Sequence, residues 1–182
     1  MNFLKIILRV IYPLVLYLLV GCSGNYVCPE NPEPTIQHCK EAHHLPEGSS
    51  CLVNVFADQQ ENPSGLMVQE GEAYQIIAMP HQTWGDSKTE HHPLCGREGN
   101  TFINMFSSFK RVDKALWFSV IANVVNDSDA LEGRYSQYDL CNTPKIEVSM
   151  PGQLIFYPND ANAMYWNNSG SVWLKIQRVK NQ

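Results

Sequence analysis

Between Tyr157 and Ser171 the chain gathers oxygen ligands at a spacing suited to a hard cation. Asp160, Asn167 and Asn168 offer side-chain oxygens, and the backbone carbonyl of Met164 lies between them. Calcium takes 6–8 oxygens from carboxylates, amides, backbone carbonyls and water. A single carboxylate leaves such an ion under-neutralised, so neutral hydroxyls, for example the cis-diol of a sugar, complete its shell. Trp166 stands beside these residues and could offer a stacking face to a sugar ring. Asn, Asp, Gly and Ser also crowd into turns for conformational reasons alone, so the loop must be weighed with the elements that hold it.

Those elements read as strands. Cys51 to Ala57 alternates, with Leu52 and Asn54 opposite Val53 and Val55. Gly65 to Val68 leads through a turn at Glu70-Gly71-Glu72 into Ala73 to Ala78. Ala115 to Val125 is a longer buried run, and Ile146 to Met150 and Leu154 to Tyr157 flank a hairpin or loop signal at Pro151-Gly152. In the last segment Val172, Leu174 and Ile176 point one way and Trp173, Lys175 and Gln177 the other. Short period-two runs separated by turn residues predict an all-β sandwich with no helix beyond a turn or two.

The first residues carry an address. Lys5 and Arg9 precede an apolar run from Val10 to Val20, which is shorter than the roughly 20 residues a membrane span needs but suits a signal peptide. Leu19-Val20-Gly21-Cys22 resembles the lipobox of bacterial lipoproteins. That resemblance implies cleavage before Cys22, lipid (diacylglycerol and an acyl chain such as palmitate) on that cysteine, and two or more chains anchoring it stably. Ser23 in place of aspartate points to the outer membrane by the enteric sorting rule. The expected organisation is a signal peptide over 1–21, a lipidated Pro-rich tether over 22–50 and a globular domain over 51–182. The tether is expected to be disordered or clipped by a disulfide.

Composition narrows the partners. Loss of residues 1–21 removes Lys5 and Arg9 but no acid, which takes the formal charge from −5 to −7. An acidic chain does not suit nucleic acid or a polybasic membrane patch. With 44% apolar and 10% aromatic residues it can bury a proper core. Cys28, Cys39, Cys51, Cys95 and Cys141 remain once lipid takes Cys22. In an oxidising compartment, five cysteines form at most two bridges. Cys95 with Cys141, and two of the other three near the tether, is the expected pairing. Adjacent histidines at His43-His44 and His91-His92 do not match structural zinc spacing. No G-x-S-x-G, P-loop or H-E-x-x-H motif occurs, so a non-enzymatic binding role is expected.

From about Val53 to Val179 the chain resembles the PA-IL-like family of calcium-dependent galactose-binding lectins. The likeness rests on the strand from Val53 to Ala57, Gly65 to Val68, Glu70-Gly71-Glu72, Tyr74 to Ala78 and Ala115-Leu116. It is strongest at Asp160 and Asn167-Asn168-Ser169-Gly170. It implies a jelly-roll-type β-sandwich that binds a galactose-type glycan through calcium. Asp160, Asn167 and Asn168 then match side-chain ligands, and Met164, where the family has threonine, and Trp84 match backbone-carbonyl ligands. His92 matches a residue that holds the sugar's primary hydroxyl. Cys95 stands where the family has a glutamine donor, and a disulfide-bonded cysteine cannot replace it. A second reading makes the sandwich a scaffold for an envelope protein partner, as in an inhibitor or immunity lipoprotein.

Overall fold

A computed structural model describes residues 36–126 and 135–181. The signal peptide, Cys22 and Cys28 lie outside them. The compact unit begins at Ile36. A one-turn helix α1 (Cys39–Ala42) precedes β1 (Ser50–Phe56), β2 (Asn62–Val68), β3 (Ala73–Ala78), β4 (Trp84–Asp86) and β5 (Thr89–His91). A second short helix, α2 (Thr101–Asn104), and a 3-10 turn (Ser107–Phe109) lead to β6 (Val120–Val125) and β7 (Ser136–Asp139). Then come β8 (Lys145–Glu147), β9 (Gly152–Pro158), a 3-10 turn (Tyr165–Asn167) and β10 (Asn168–Val179).

The strands form two antiparallel sheets, as the period-two pattern requires. One runs β5-β4-β10-β3-β8 with β1 also paired to β10, and the other runs β2-β9-β6-β7. The core lies between them. Val172, Leu174 and Ile176 of β10 are fully buried, as are Tyr74 and Ile76 of β3 and Val55 of β1. Val120, Ala122 and Val124 of β6 and Leu154 and Phe156 of β9 face them from the other sheet. Each large apolar side chain so buried contributes roughly 1.5–3 kcal/mol. A one-residue slip of β10 would expose its whole set, so this alternation fixes the register.

Three local expectations change. Residues 36–50, assigned to the tether, include packed structure: Cys39 and Leu45 are buried, and His38 bridges Leu52. A Cys39–Cys51 disulfide clips the segment down, as the expected pairing near the tether allows. Gly65, at φ +76, admits it, because a Cβ there would sit 2.5 Å from the Lys40 Cα. The buried run from Ala115 is strand only from Val120, with Trp117 and Phe118 buried in the turn before it. Pro151-Gly152 does not close a hairpin: β8 pairs with β3 and β9 with β2 and β6, so the segment crosses between sheets. The second disulfide joins Cys95 to Cys141, as expected.

Candidate metal centre and adjoining cleft

The oxygen-rich loop joins the central strands of the two sheets, leaving β9 at Pro158 and entering β10 at Asn168. Asn159 fixes its departure. This side chain is fully buried, and its Nδ2 donates to the carbonyls of Val112, Ala115 and Leu116 while its Oδ1 accepts from the Val112 N–H. Its backbone donates to Ser119 and accepts from Phe118. Tyr165 closes the loop by donating its hydroxyl to the Pro158 carbonyl at 2.6 Å. Burial raises that phenol to about 12, so it stays a donor. The loop is therefore held at both ends independently of any ligand.

Asp160, Asn167 and Asn168 come together. Asn168, buried, donates from Nδ2 to the Asp160 carboxylate at 3.0 Å and to the Ala57 carbonyl at 3.1 Å. Asp160 also accepts from the Ala161 N–H at 2.7 Å. Sequence reasoning missed a second carboxylate: Asp86, at the end of β4, is the register partner of Asn168 and accepts from Asn167 Nδ2 at 2.6 Å. It lies two residues beyond Trp84, within a segment the resemblance had already marked, but its partner is 81 positions away in the chain. Burial raises the Asp160 pKa, and the neighbouring Asp86 charge raises it further, against hydrogen bonds from Asn168 and Ala161 that lower it.

Two acceptors at this cluster lack a partner. The Oδ1 atoms of both Asn167 and Asn168 are buried with no donor. An unpaired buried acceptor costs about 1–3 kcal/mol. Two such oxygens beside two carboxylates form an all-oxygen donor set, which suits calcium rather than softer metals. Among the described residues no three His, Cys, Asp or Glu side chains converge on a metal position, so the amide oxygens are indispensable to the set.

The other expected residues are placed as follows. The Met164 carbonyl accepts from the Asn167 N–H at 3.2 Å and keeps a lone pair. Trp84 is 2% exposed and packs edge-on against Phe118 with ring centroids 5.8 Å apart. Trp166, next to Asn167 in the chain, is 78% exposed. His92 is exposed, and its Nδ1 accepts from the N–H groups of Leu94 and Cys95 at 3.2 and 3.0 Å, which caps its own loop.

Asp86, Asp160 and Met164 line a cleft of about 910 Å³. Phe102, Phe106, Phe109 and Trp117 also line it and make much of its surface aromatic. Phe102 and Phe109 are 68% and 65% exposed. Neither His92 nor Trp166 lines this cleft.

The chain matches no protein-family model and no curated protein. Among solved structures it is similar to one described as "EclA N-terminal domain; PllA-like lectin", at 16% identity and a TM-score of 0.46. The match covers 70% of this chain and 94% of that one.

Proposed function

We propose that the protein is a non-enzymatic, calcium-dependent carbohydrate-binding module held at the cell envelope by lipid on Cys22. The observation that carries this reading is the pair of buried, donorless amide oxygens on Asn167 and Asn168 beside two carboxylates at the edge of a cleft. Asp160, Asn167, Asn168 and Asp86 would hold the ion through side chains, with the Met164 carbonyl as a further oxygen and Trp84 as the second backbone ligand that the resemblance implies. Bound calcium supplies a site at which two sugar hydroxyls enter the coordination shell. The chain's own residues position that sugar. Phe102 and Phe106 give the cleft an apolar face, and Trp166 stands exposed beside the loop as a platform. His92, to which the resemblance gives a sugar hydroxyl, does not line the cleft and would meet only a ligand that extends beyond it. Galactose is the sugar the resemblance implies, but Cys95, tied to Cys141, removes the donor that the family places there.

Glycan-array binding of the purified protein tests this reading. Binding that requires calcium and vanishes with chelator supports it, and an array with no calcium-dependent signal removes it.

The exposed Phe102, Met105, Phe106 and Phe109 favour a second reading, a protein-binding envelope lipoprotein. A stoichiometric partner recovered from envelope extract whether or not chelator is present would select it.

A further inference from the structure

We propose that the sugar is an acidic one, and that Arg97 selects it by pairing with the sugar's carboxylate. The proposal rests on the carbohydrate reading above and specifies its ligand.

Arg97 lines the same cleft as Asp86 and Asp160 and is partly buried. Its backbone is pinned. The Arg97 N–H donates to the Trp117 carbonyl at 2.8 Å, in an isolated antiparallel bridge. Gly96 makes that approach possible: it sits at φ +61, and a Cβ there would stand 1.9 Å from the Trp117 carbonyl oxygen. The Gly96 N–H in turn donates to the His92 carbonyl at 3.0 Å. The chain thus brings an arginine to the cleft on a constrained backbone.

Among the described residues its guanidinium has no ion-pair partner. The Nε is buried without an acceptor. The other two cations of the cleft are engaged. Lys110 donates from Nζ to the Ala115 carbonyl at 2.6 Å and lies over the Trp117 ring. Arg111 lies 3.6 Å over the Tyr157 ring, reaches Glu61 at 3.9 Å and donates to the Gln60 carbonyl. His91 does not partner Arg97 either: both of its ring nitrogens are buried without a hydrogen bond. Asp86 and Asp160 face Asn167 and Asn168 and belong to the cation's donor set.

A partly buried guanidinium without a partner is unfavourable, and a carboxylate matches its planar fork with two parallel hydrogen bonds. A uronic acid carries both features the cleft calls for, hydroxyls for the cation end and a carboxylate for Arg97.

Calorimetric titration at saturating calcium, with galacturonic acid, its methyl ester and galactose as probes, tests the proposal. Galacturonic acid should bind at least about 10-fold more tightly than its ester. In Arg97→Gln that preference should disappear, and the calcium-dependent thermal shift of the variant checks that it is folded. Equal affinity for acid and ester in the native protein overturns the proposal, as does a preference that survives Arg97→Gln. If galactose binds and the acid binds no better, only the acidic-sugar inference fails. If no sugar binds with calcium present, the carbohydrate reading fails and takes this inference with it.

Discussion

Asn168 spends both of its amide hydrogens, one on the Asp160 carboxylate at 3.0 Å and one on the Ala57 carbonyl at 3.1 Å, and leaves its own oxygen buried without a donor. Those bonds fix the orientation of the side chain, so its oxygen is aimed before any ligand arrives. Asn167 repeats the arrangement with Asp86. The two carboxylates are thus the acceptors that orient two amide oxygens, as well as candidate ligands in their own right.

Asp86→Asn separates these roles. The amide oxygen can still accept from Asn167, so the fold should hold with a change in stability below about 1 kcal/mol. The lost negative charge should weaken calcium binding by about 10-fold or more. Calcium titration of the variant by calorimetry measures this. Unchanged affinity would place Asp86 outside the donor set.

Asn159→Ala should damage the loop from behind. It leaves the Val112 N–H without its acceptor and takes one donor from the carbonyls of Val112, Ala115 and Leu116, which keep the Ala115 N–H, Lys110 Nζ and Ser119. A loss of about 1–3 kcal/mol is expected in urea unfolding, because the Val112 N–H is left unpaired and three carbonyls each lose a donor. Asp160 is the next residue, so calcium affinity should fall with it.

His91 makes stability depend on pH. It is buried with neither ring nitrogen partnered, stacks on Phe118 with ring centroids 4.3 Å apart, and has its pKa lowered to about 4 by burial and then by Arg97. Below an ordinary value near 6.5 the unfolded chain binds a proton that the folded chain refuses. This contribution is therefore fully present above pH 6.5 and is lost as pH falls toward 4, by about 3 kcal/mol at most. Urea unfolding across that range should show the decline. His91→Leu should flatten it, and a variant with the same slope would assign the loss to other groups.

The sandwich was legible because its signal is local. The alternation of Val172, Leu174 and Ile176 fixes the buried face of β10, and Val53 and Val55 do the same for β1. Asp160, Asn167 and Asn168 were legible for the same reason, since one short loop carries all three. Asp86 and Arg97 were not, because each reaches the cleft through pairing between distant strands and turns: Asp86 with Asn168, Arg97 with Trp117. Residues 36–50 hid their structure differently. Only Cys39 and Leu45 among the described ones are buried, which is too few for a period, and a disulfide does the anchoring. Pro151-Gly152 marked a loop correctly but could not say that it leads into the opposite sheet.

The most direct test of the central claim is thermal unfolding against calcium concentration, for the native protein and for Asp160→Asn, whose amide oxygen can still accept from Asn168. The native protein should gain stability with the logarithm of calcium, about 2.7 kcal/mol at 100 times the dissociation constant, and Asp160→Asn should lose most of that gain while remaining folded. A native protein whose melting temperature ignores calcium, or a variant that keeps the full shift, would contradict the account.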